Sequence, residues 1–244
     1  MDIVTLGEML IDMFPSQIGR NLVSVPAFHP KPGGAPANVA VAARRLGRST
    51  AFIGKVGDDA FGHFLVETLA QEDVNTDGMR LDPEARTTMA FIALPDEHTA
   101  EFLFYRNPGA DMLLRADELD RTLLKGTRAF HFGSISLIKE PSRSATIEAA
   151  RAAREGGALI SFDVNYRPSL WDADDSPGEV IKEMLPQVDL VKVNETELAY
   201  LTGRDNLSAG SQVLLEFGPE LVVVTLGVDG SYFRTAVGDG RVPP

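Results

Sequence analysis

Residues 33–40 read GGAPANVA, in which two glycines and a proline precede a small, apolar helical run. Proline is tolerated in the first turn of a helix because the N–H that it lacks has no partner there. Adjacent glycines let another group approach the backbone closely. We therefore predict a helix from about residue 36 to Leu46, whose amino end offers free N–H groups and the amide of Asn38 to a ligand. An ordinary turn before a core helix, with Asn38 in solvent, fits this stretch as well.

Outside this stretch, short apolar segments alternate with segments of helical periodicity. Brief runs rich in β-branched and large apolar residues are typical of buried strands. Helical spacing from Phe61 to Leu69 follows the candidate caps Asp58 and Asp59, and an alanine-rich run stops at Gly156. The alternation predicts an α/β fold, a mostly parallel sheet with helices on both faces. The predicted strands are Ile3–Leu6, Ala51–Val56, Ala129–Phe132, Ala158–Phe162, Leu190–Val193 and Leu221–Leu226, and the further predicted helices are Ser142–Glu155 and Glu195–Leu201.

Two stretches, residues 13–32 and 87–106, interrupt this alternation. The first lacks a helical period and contains several prolines, and the second is typical of two strands joined by a polar turn at Pro95–Thr99. We predict that both are β insertions into a single domain spanning residues 1–244, and that together they form a small lid sheet over one edge of the main sheet. Ligands of parallel α/β sheets collect at the carboxyl ends of the strands, so the residues that follow each strand are the candidates for a site.

The composition limits the functions to consider. The 244 residues carry a net charge of −12 and no cysteine, which disfavours nucleic-acid and membrane partners and removes disulfides, thiolate zinc sites and cysteine nucleophiles. The amino terminus, MDIVTLGEML, lacks a basic segment, and no apolar run approaches the ~20 residues that a membrane span needs. We expect a cytoplasmic protein. The histidines show no metal-ligand spacing, and the last of them fits a core strand: His29, His63, His98 and His131.

A set of ordered motifs runs through nearly the whole chain. Neither of two common nucleotide-binding motifs is among them, since GxGxxG after a strand and GxxxxGKS/T are both absent. GGAPANVA is followed by Gly47 and Gly57, and the other motifs, in chain order, are GEMLID, FYRNPGADMLL, FGSISL, FDVNYR, VNETE and VVVTLGVDG. This ordered set resembles the ribokinase-like (PfkB) carbohydrate kinases, and among them the fructokinases.

The resemblance implies a fold and a reaction. The fold is a three-layer α/β sandwich with a β lid. The reaction transfers the γ-phosphoryl group of ATP, with Mg²⁺, to a hydroxyl of a sugar, most simply fructose, and depends mainly on positioning and charge neutralisation. The alternatives are a 2-keto-3-deoxygluconate kinase, whose lid also carries an aromatic-Arg segment, and a non-catalytic sugar-binding protein. Pairing of lid strands between subunits would make a homodimer.

For the sugar, the resemblance implies a pocket built from several of these motifs. Asp12 would accept hydrogen bonds from sugar hydroxyls, Arg106 would reach over the sugar, and Arg167 would neutralise phosphate charge. Each has a plainer alternative: a turn aspartate, an arginine in solvent and a surface ion pair. The implied sugar-binding residues are Asp12, Gly33, Gly34, Asn38, Arg106, Asn165 and Arg167.

For the nucleotide, the resemblance points to the last three motifs. Glu197 would help to organise hydrated Mg²⁺, because hard cations prefer oxygen ligands. Alternatively, Asn194 and Glu197 form a helix capping box, and Thr225 with its glycines belongs to an ordinary turn after a strand. The implied residues are Lys192, Asn194, Glu197, Thr225, Gly227 and Gly230, with Glu197 also at the metal.

One motif of the family is not found in the 244 residues. It is a glycine-rich segment of the type DTxGAGD, whose helix start forms an anion hole and whose last aspartate is the catalytic base. Asp163 and Asp229 are not convincing substitutes, so we assign no catalytic residue and expect the base beyond Pro244. We therefore expect an incomplete carboxyl-terminal part, exposed apolar surface and little or no turnover, since a lost general base typically costs ~10²–10⁴ in rate.

Overall fold

The structure is a computed structural model and describes residues 1–96 and 99–244. Residues 97–98, with His98 and the middle of the predicted turn Pro95–Thr99, lie outside the described residues. The strands are β1 Ile3–Leu6, β2 Leu10–Pro15, β3 Phe28–Gly33, β4 Thr50–Gly57, β5 Asn75–Asp82, β6 Met89–Ala93, β7 Glu101–Tyr105, β8 Ala129–Gly133, β9 Leu159–Asp163, β10 Leu190–Asn194, β11 Leu221–Thr225, β12 Ser231–Thr235 and β13 Gly238–Val242. The helices are α1 Ala35–Arg45, α2 Ala60–Gln71, α3 Arg121–Lys125, α4 Ser142–Glu155, α5 Pro177–Met184, α6 Glu195–Thr202 and α7 Leu207–Glu216.

The main sheet has nine strands in the order β13-β12-β11-β10-β9-β8-β1-β4-β5. All neighbours from β11 to β5 are parallel, whereas β12 and β13 are added antiparallel at one edge. The predicted α/β class with a mostly parallel sheet is confirmed. Because parallel strands end at the same edge, residues after β1, β9, β10 and β11 are brought to one side of the molecule.

The lid sheet has four strands in the order β3-β2-β6-β7. Its strands fall in or next to the two stretches that interrupt the alternation, and β2 starts at Leu10, slightly before residue 13. The pairs β2–β3 and β6–β7 are antiparallel, and β2 and β6 run parallel at its centre. The small β lid is therefore confirmed as part of the fold.

Helices cover both faces of one half of the main sheet. On one face α1 and α2 pack over β4, where Phe52, Leu65 and Ala40 share a buried cluster. On the other face α4 packs on β8 and β9, and the rings of Phe132 and Phe162 stack with centroids 4.8 Å apart. Among the residues that the structure describes, no helix is both long and apolar enough to cross a membrane.

The half of the main sheet formed by β9–β12 carries helices on one face only. Ile160, Val191 and Val222 are fully buried against that layer, which contains α4, α6 and α7. On the opposite face the alternate residues are partly open, and Leu159 is 47% exposed. Parallel sheets are normally covered on both sides. In the described part of the chain the predicted three layers thus hold for one half of the sheet, while the other half has helices on one face and partly exposed residues on the other.

His131 lies in β8 and is buried, with its Nδ1 3.0 Å from the hydroxyl oxygen of Ser161. Burial lowers the pKa of His131, which keeps the imidazole neutral. The prediction of a core histidine with a hydrogen-bond partner is confirmed.

Candidate active site

The start of α1 is shaped by the two glycines of GGAPANVA. Gly34 is the residue before the helix and has φ of 110°, a conformation that favours glycine, and Pro36 lies in the first turn. A Cβ on Gly34 would collide with the carbonyl of Glu8, and one on Gly33 would collide with the carboxylate of Asp12. The helix is predicted correctly to within a residue at each end. The groups that approach these glycines closely are therefore parts of the protein and not a ligand.

A cavity of about 180 Å³ opens beside this helix start, between the main sheet and the lid sheet. Five of the predicted sugar-binding residues line it: Asp12, Gly34, Asn38, Asn165 and Arg167. The lid contributes Phe102 and Phe104, whose rings stack with centroids 6.1 Å apart. The cavity therefore combines two carboxyl groups, those of Asp12 and Glu8, two amides and a guanidinium with an aromatic wall, a lining that suits a small polyhydroxylated ligand.

A larger groove of about 550 Å³ lies on the other side of the α1 start and has Gly33 and Asn38 in its wall. Its lining is mostly apolar, and its two charged side chains, Arg45 and Glu72, are paired with each other. The smaller cavity is the better candidate because its polar groups converge. Gly33 belongs to this site through its contact with Asp12.

Asp12 is one of the two acidic residues that line the cavity, with Glu8. Burial raises its pKa to about 6, and the nearby guanidinium of Arg167 works in the opposite direction. At neutral pH the carboxylate is therefore mostly ionised and accepts hydrogen bonds from hydroxyl donors.

Glu8 is a cavity residue that the sequence analysis missed. Its Oε1 accepts the N–H of Ala35, the first residue of α1, at 3.1 Å. Its Oε2 is buried and finds no hydrogen-bond partner among the described residues. Burial raises the pKa of Glu8 to about 7, and Asp111 adds to the rise. The position of Glu8 just after β1, at the carboxyl edge of a central strand, is the signal that could have identified it.

Arg106 does not line the cavity, in contrast to the expectation that it reaches over the sugar. The side chain is buried, and its Nε donates to Asp111 Oδ2 at 2.8 Å. A terminal nitrogen donates to the carbonyl of Ile135, a residue in the cavity wall, at 3.3 Å. Asp111 also accepts the hydroxyl of Thr88 at 2.5 Å. A buried guanidinium must be paired, and this pairing with Asp111 holds Arg106 against the cavity wall at Ile135.

The turn that follows β9 brings Asn165 and Arg167 to the cavity. Asn165 adopts φ of 38°, an uncommon conformation for a residue with a side chain. Its N–H donates to Asp163 Oδ1 at 3.2 Å, and the N–H of Tyr166 donates to Glu197 Oε1 at 2.7 Å. The two cavity residues are thus presented by a turn that other elements hold in place.

Asn194 and Glu197 form a complete capping box at the start of α6. Asn194 Oδ1 accepts the N–H of Glu197 at 2.8 Å, and Glu197 Oε2 accepts the N–H of Asn194 at 2.8 Å. Both carboxylate oxygens of Glu197 accept backbone amides, and the residue is 3% exposed. Within the described ranges no group of three or more His, Asp or Glu residues could hold a metal ion. As placed here, Glu197 has both carboxylate oxygens engaged by backbone amides, and its role at hydrated Mg²⁺ stays a prediction.

The other predicted nucleotide residues lie near this capping box, at the ends of β10 and β11. Thr225 pairs with Asn194 in the sheet, and its hydroxyl donates to Val193. Lys192 is not free, since its Nζ is 3.1 Å from Asp163 Oδ1. The turn after β11 presents Gly227 with open space around it.

Gly230 has a structural reason to be glycine. Its φ is 82°, and a Cβ there would collide with the carbonyl of Val242 in β13. The close approach at this position comes from a neighbouring strand, so no nucleotide is needed to explain the residue.

Known proteins have similar sequences and similar folds. The chain matches the pfkB family carbohydrate kinases over residues 1–244. The chain belongs to this family. It is 48% identical over 242 residues to the probable chloroplastic fructokinase-6 of Arabidopsis thaliana, covering 98% of this chain and 63% of that protein. It is 47% identical to fructokinase-2 of Zea mays, covering 99% and 72%.

Solved fructokinase structures resemble this pfkB-family chain closely. The ATP-bound enzyme of Xylella fastidiosa has a TM-score of 0.88 and 36% identity, covering 99% of this chain and 73% of that one. The enzyme of Vibrio cholerae O395 with fructose, ADP and a calcium ion has a TM-score of 0.89 and 34% identity, covering all of this chain and 76% of that one. The chain thus spans 63% of the length of one relative and about three quarters of the others named here.

Proposed function

We propose that the protein to which this chain belongs uses ATP to phosphorylate a hydroxyl of fructose. Its pfkB family membership supports sugar phosphorylation, and the fructokinases among its relatives support fructose. The observation that carries the proposal is the convergence of Asp12, Asn38, Asn165 and Arg167 on one cavity beside the carboxyl edge of the sheet. The 2-keto-3-deoxygluconate kinase and the non-catalytic binding protein gain no support from these relatives.

Each cavity residue has a distinct part in binding the sugar. The Asp12 carboxylate accepts hydroxyl protons, and Asn38 and Asn165 each offer both a donor and an acceptor. Arg167 balances the charge of Asp12 and is the available cation for a transferred phosphoryl group. Phe102 and Phe104 supply an apolar wall against which the carbon face of a sugar can pack. No residue of this chain is assigned as the catalytic base.

The nucleotide site is proposed for the turns after β10 and β11. The open backbone at Gly227 and the exposed part of Lys192 are the groups that a nucleotide can approach. Mg²⁺ typically binds through substrate phosphates and water and needs few protein carboxylates. We propose that it comes with ATP and supplies charge neutralisation at the phosphates, with Glu197 fixed nearby.

Two further proposals concern assembly and cellular location. Pairing of lid strands between two copies would make a homodimer, and the partly exposed apolar residues Leu103 and Tyr105 of β7 are consistent with it. A cytoplasmic location is proposed from the composition, which contains no cysteine.

The proposal is tested by calorimetric titration of this chain with fructose and with 2-keto-3-deoxygluconate. We expect fructose to bind and Asp12→Asn to weaken binding at least tenfold, because one charged hydrogen-bond acceptor is lost. Asp174→Asn, a change of the same type at an exposed position, is the control. Unchanged affinity in Asp12→Asn would remove the sugar-site assignment. Sugar-dependent ADP formation, measured on this chain and on any longer form of the protein, tests the transfer step.

A further inference from the structure

The carboxylate of Glu197 connects two turns of the proposed active site. Its Oε2 accepts the N–H of Asn194 within the capping box, at 2.8 Å. Its Oε1 accepts the N–H of Tyr166, in the turn after β9, at 2.7 Å. The first bond lies on the nucleotide side and the second on the sugar side, so one buried side chain spans both.

The turn that Glu197 reaches requires support. Asn165 and Arg167, the residues on either side of Tyr166, both line the cavity. Asn165 has φ of 38°, and such backbone conformations persist only when surrounding contacts hold them. The hydrogen bond from Tyr166 to Glu197 is the contact at the centre of this turn.

A second contact ties the same turn to the same helix. The rings of Tyr166 and Tyr200, a residue of α6, stack with centroids 4.8 Å apart and planes 8° from parallel. Glu197 and Tyr200 are separated by one helical turn, so both face the docked segment. The start of α6 therefore holds the backbone and the side chain of Tyr166 together.

We propose that Glu197 is a positioning residue for the sugar cavity, acting through Tyr166 to place Asn165 and Arg167. This role rests on the proposed function, because it concerns the same cavity. It is separate from any influence on Mg²⁺, since it operates in the absence of nucleotide and metal.

Glu197→Gln isolates this role from helix capping. A capping box accepts Gln as well as Glu at its third helical position. The amide has one acceptor oxygen, so when it serves Asn194 its NH₂ group meets the N–H of Tyr166, and that bond is lost. The matched control is Glu195→Gln, which makes the same charge change in the same helical turn at an exposed position.

The experiment titrates each variant with fructose, without nucleotide or metal, and measures amide exchange at Tyr166. For Glu197→Gln we expect roughly tenfold weaker fructose binding and roughly tenfold faster exchange, the size of one hydrogen bond to a charged group. Glu195→Gln should match the wild type in both. The only tryptophan, Trp171, has its ring 6.5 Å from that of Tyr166, so its fluorescence offers a third readout of the turn.

The outcomes distinguish failure of the positioning role of Glu197 from failure of the proposed function. Unchanged fructose affinity in folded Glu197→Gln overturns the proposal, even if exchange at Tyr166 becomes faster. Failure of the wild-type chain to bind fructose overturns the proposed function and the positioning role with it. If Glu197→Gln does not fold, Glu197→Asp takes its place, because it keeps the charge while the shorter side chain no longer reaches both Asn194 and Tyr166. Weaker fructose binding in that variant supports the proposal, and unchanged binding overturns it.

Discussion

The carboxylate of Asp12 lies so close to the α-carbon of Gly33 that an added Cβ would displace it. Asp12 lies in β2 and Gly33 at the end of the adjacent strand β3. The glycine thus sets the position of the one carboxylate that we expect to bind the sugar. This makes Gly33 a binding-site residue without any contact of its own.

Gly33→Ala should weaken fructose binding more than it destabilises the fold. The new methyl group displaces the end of a flexible carboxylate and not backbone, so we expect a small change in melting temperature and at least a tenfold loss of affinity. Gly238→Ala is the control, because a Cβ there meets nothing within 4 Å. Calorimetry and thermal denaturation measure the two quantities. Equal affinity in both variants would show that Asp12 does not need this position.

Fructose binding should depend on the ionisation of Asp12. With a pKa of about 6, the carboxylate is mostly protonated at pH 5, so affinity should fall roughly tenfold between pH 7.5 and 5. Asp12→Asn should bind weakly at both values and show no such step. Glu8→Gln should keep the step, which separates the two carboxyl groups. A pH-independent affinity in the wild type would contradict the assignment.

Glu8→Gln should stabilise the fold at alkaline pH. Burial raises the folded-state pKa of Glu8 to about 7, above its ordinary 4.5. The stability that this group contributes is therefore fully present below about pH 4.5 and is lost as pH rises through 7. We expect the variant to match the wild type near pH 5 and to exceed its free energy of unfolding by about 1–2 kcal/mol at pH 8. Urea denaturation at the two pH values measures this, and a variant less stable at pH 8 would refute it.

Arg106→Met should affect stability, because its partner Asp111 would be left buried and unpaired. We expect a loss of about 3 kcal/mol in the free energy of unfolding. Arg115→Met removes the exposed pair with Asp117 and should change stability by less than about 1 kcal/mol. If Arg106 instead served the sugar directly, its variant would keep its stability and lose affinity.

Much of the fold follows from local patterns in the sequence. Helix α4 has the predicted bounds, Ser142–Glu155, because an alanine-rich run stops at two glycines. Strand β5, Asn75–Asp82, was not predicted, since its sequence NTDGMRLD is polar and lacks a strand period. It is an edge strand paired only with β4, and that pairing depends on tertiary structure. A single sequence does not reveal such a partner.

In the candidate site, too, some residues were predicted from the sequence and some contacts were not. The family resemblance implied a sugar site at Asp12, Asn38, Asn165 and Arg167, and these residues line one cavity of the structure. The pairing of Arg106 with Asp111 was not predicted, because residue types do not show which side chains are buried together. The hydrogen bond that the N–H of Tyr166 donates to Glu197 was not predicted either, because the capping box already accounted for the glutamate.

The half of the main sheet that carries helices on one face only should unfold locally more readily than the other half. In strands packed between two layers, amide hydrogens should exchange with solvent only on global unfolding. In β11–β13 they should exchange through local opening, which costs less free energy. The sugar side would then stay rigid while the side that we assign to the nucleotide fluctuates. The sugar would then bind to a preformed cavity, whereas the nucleotide would bind to a surface that becomes ordered on binding.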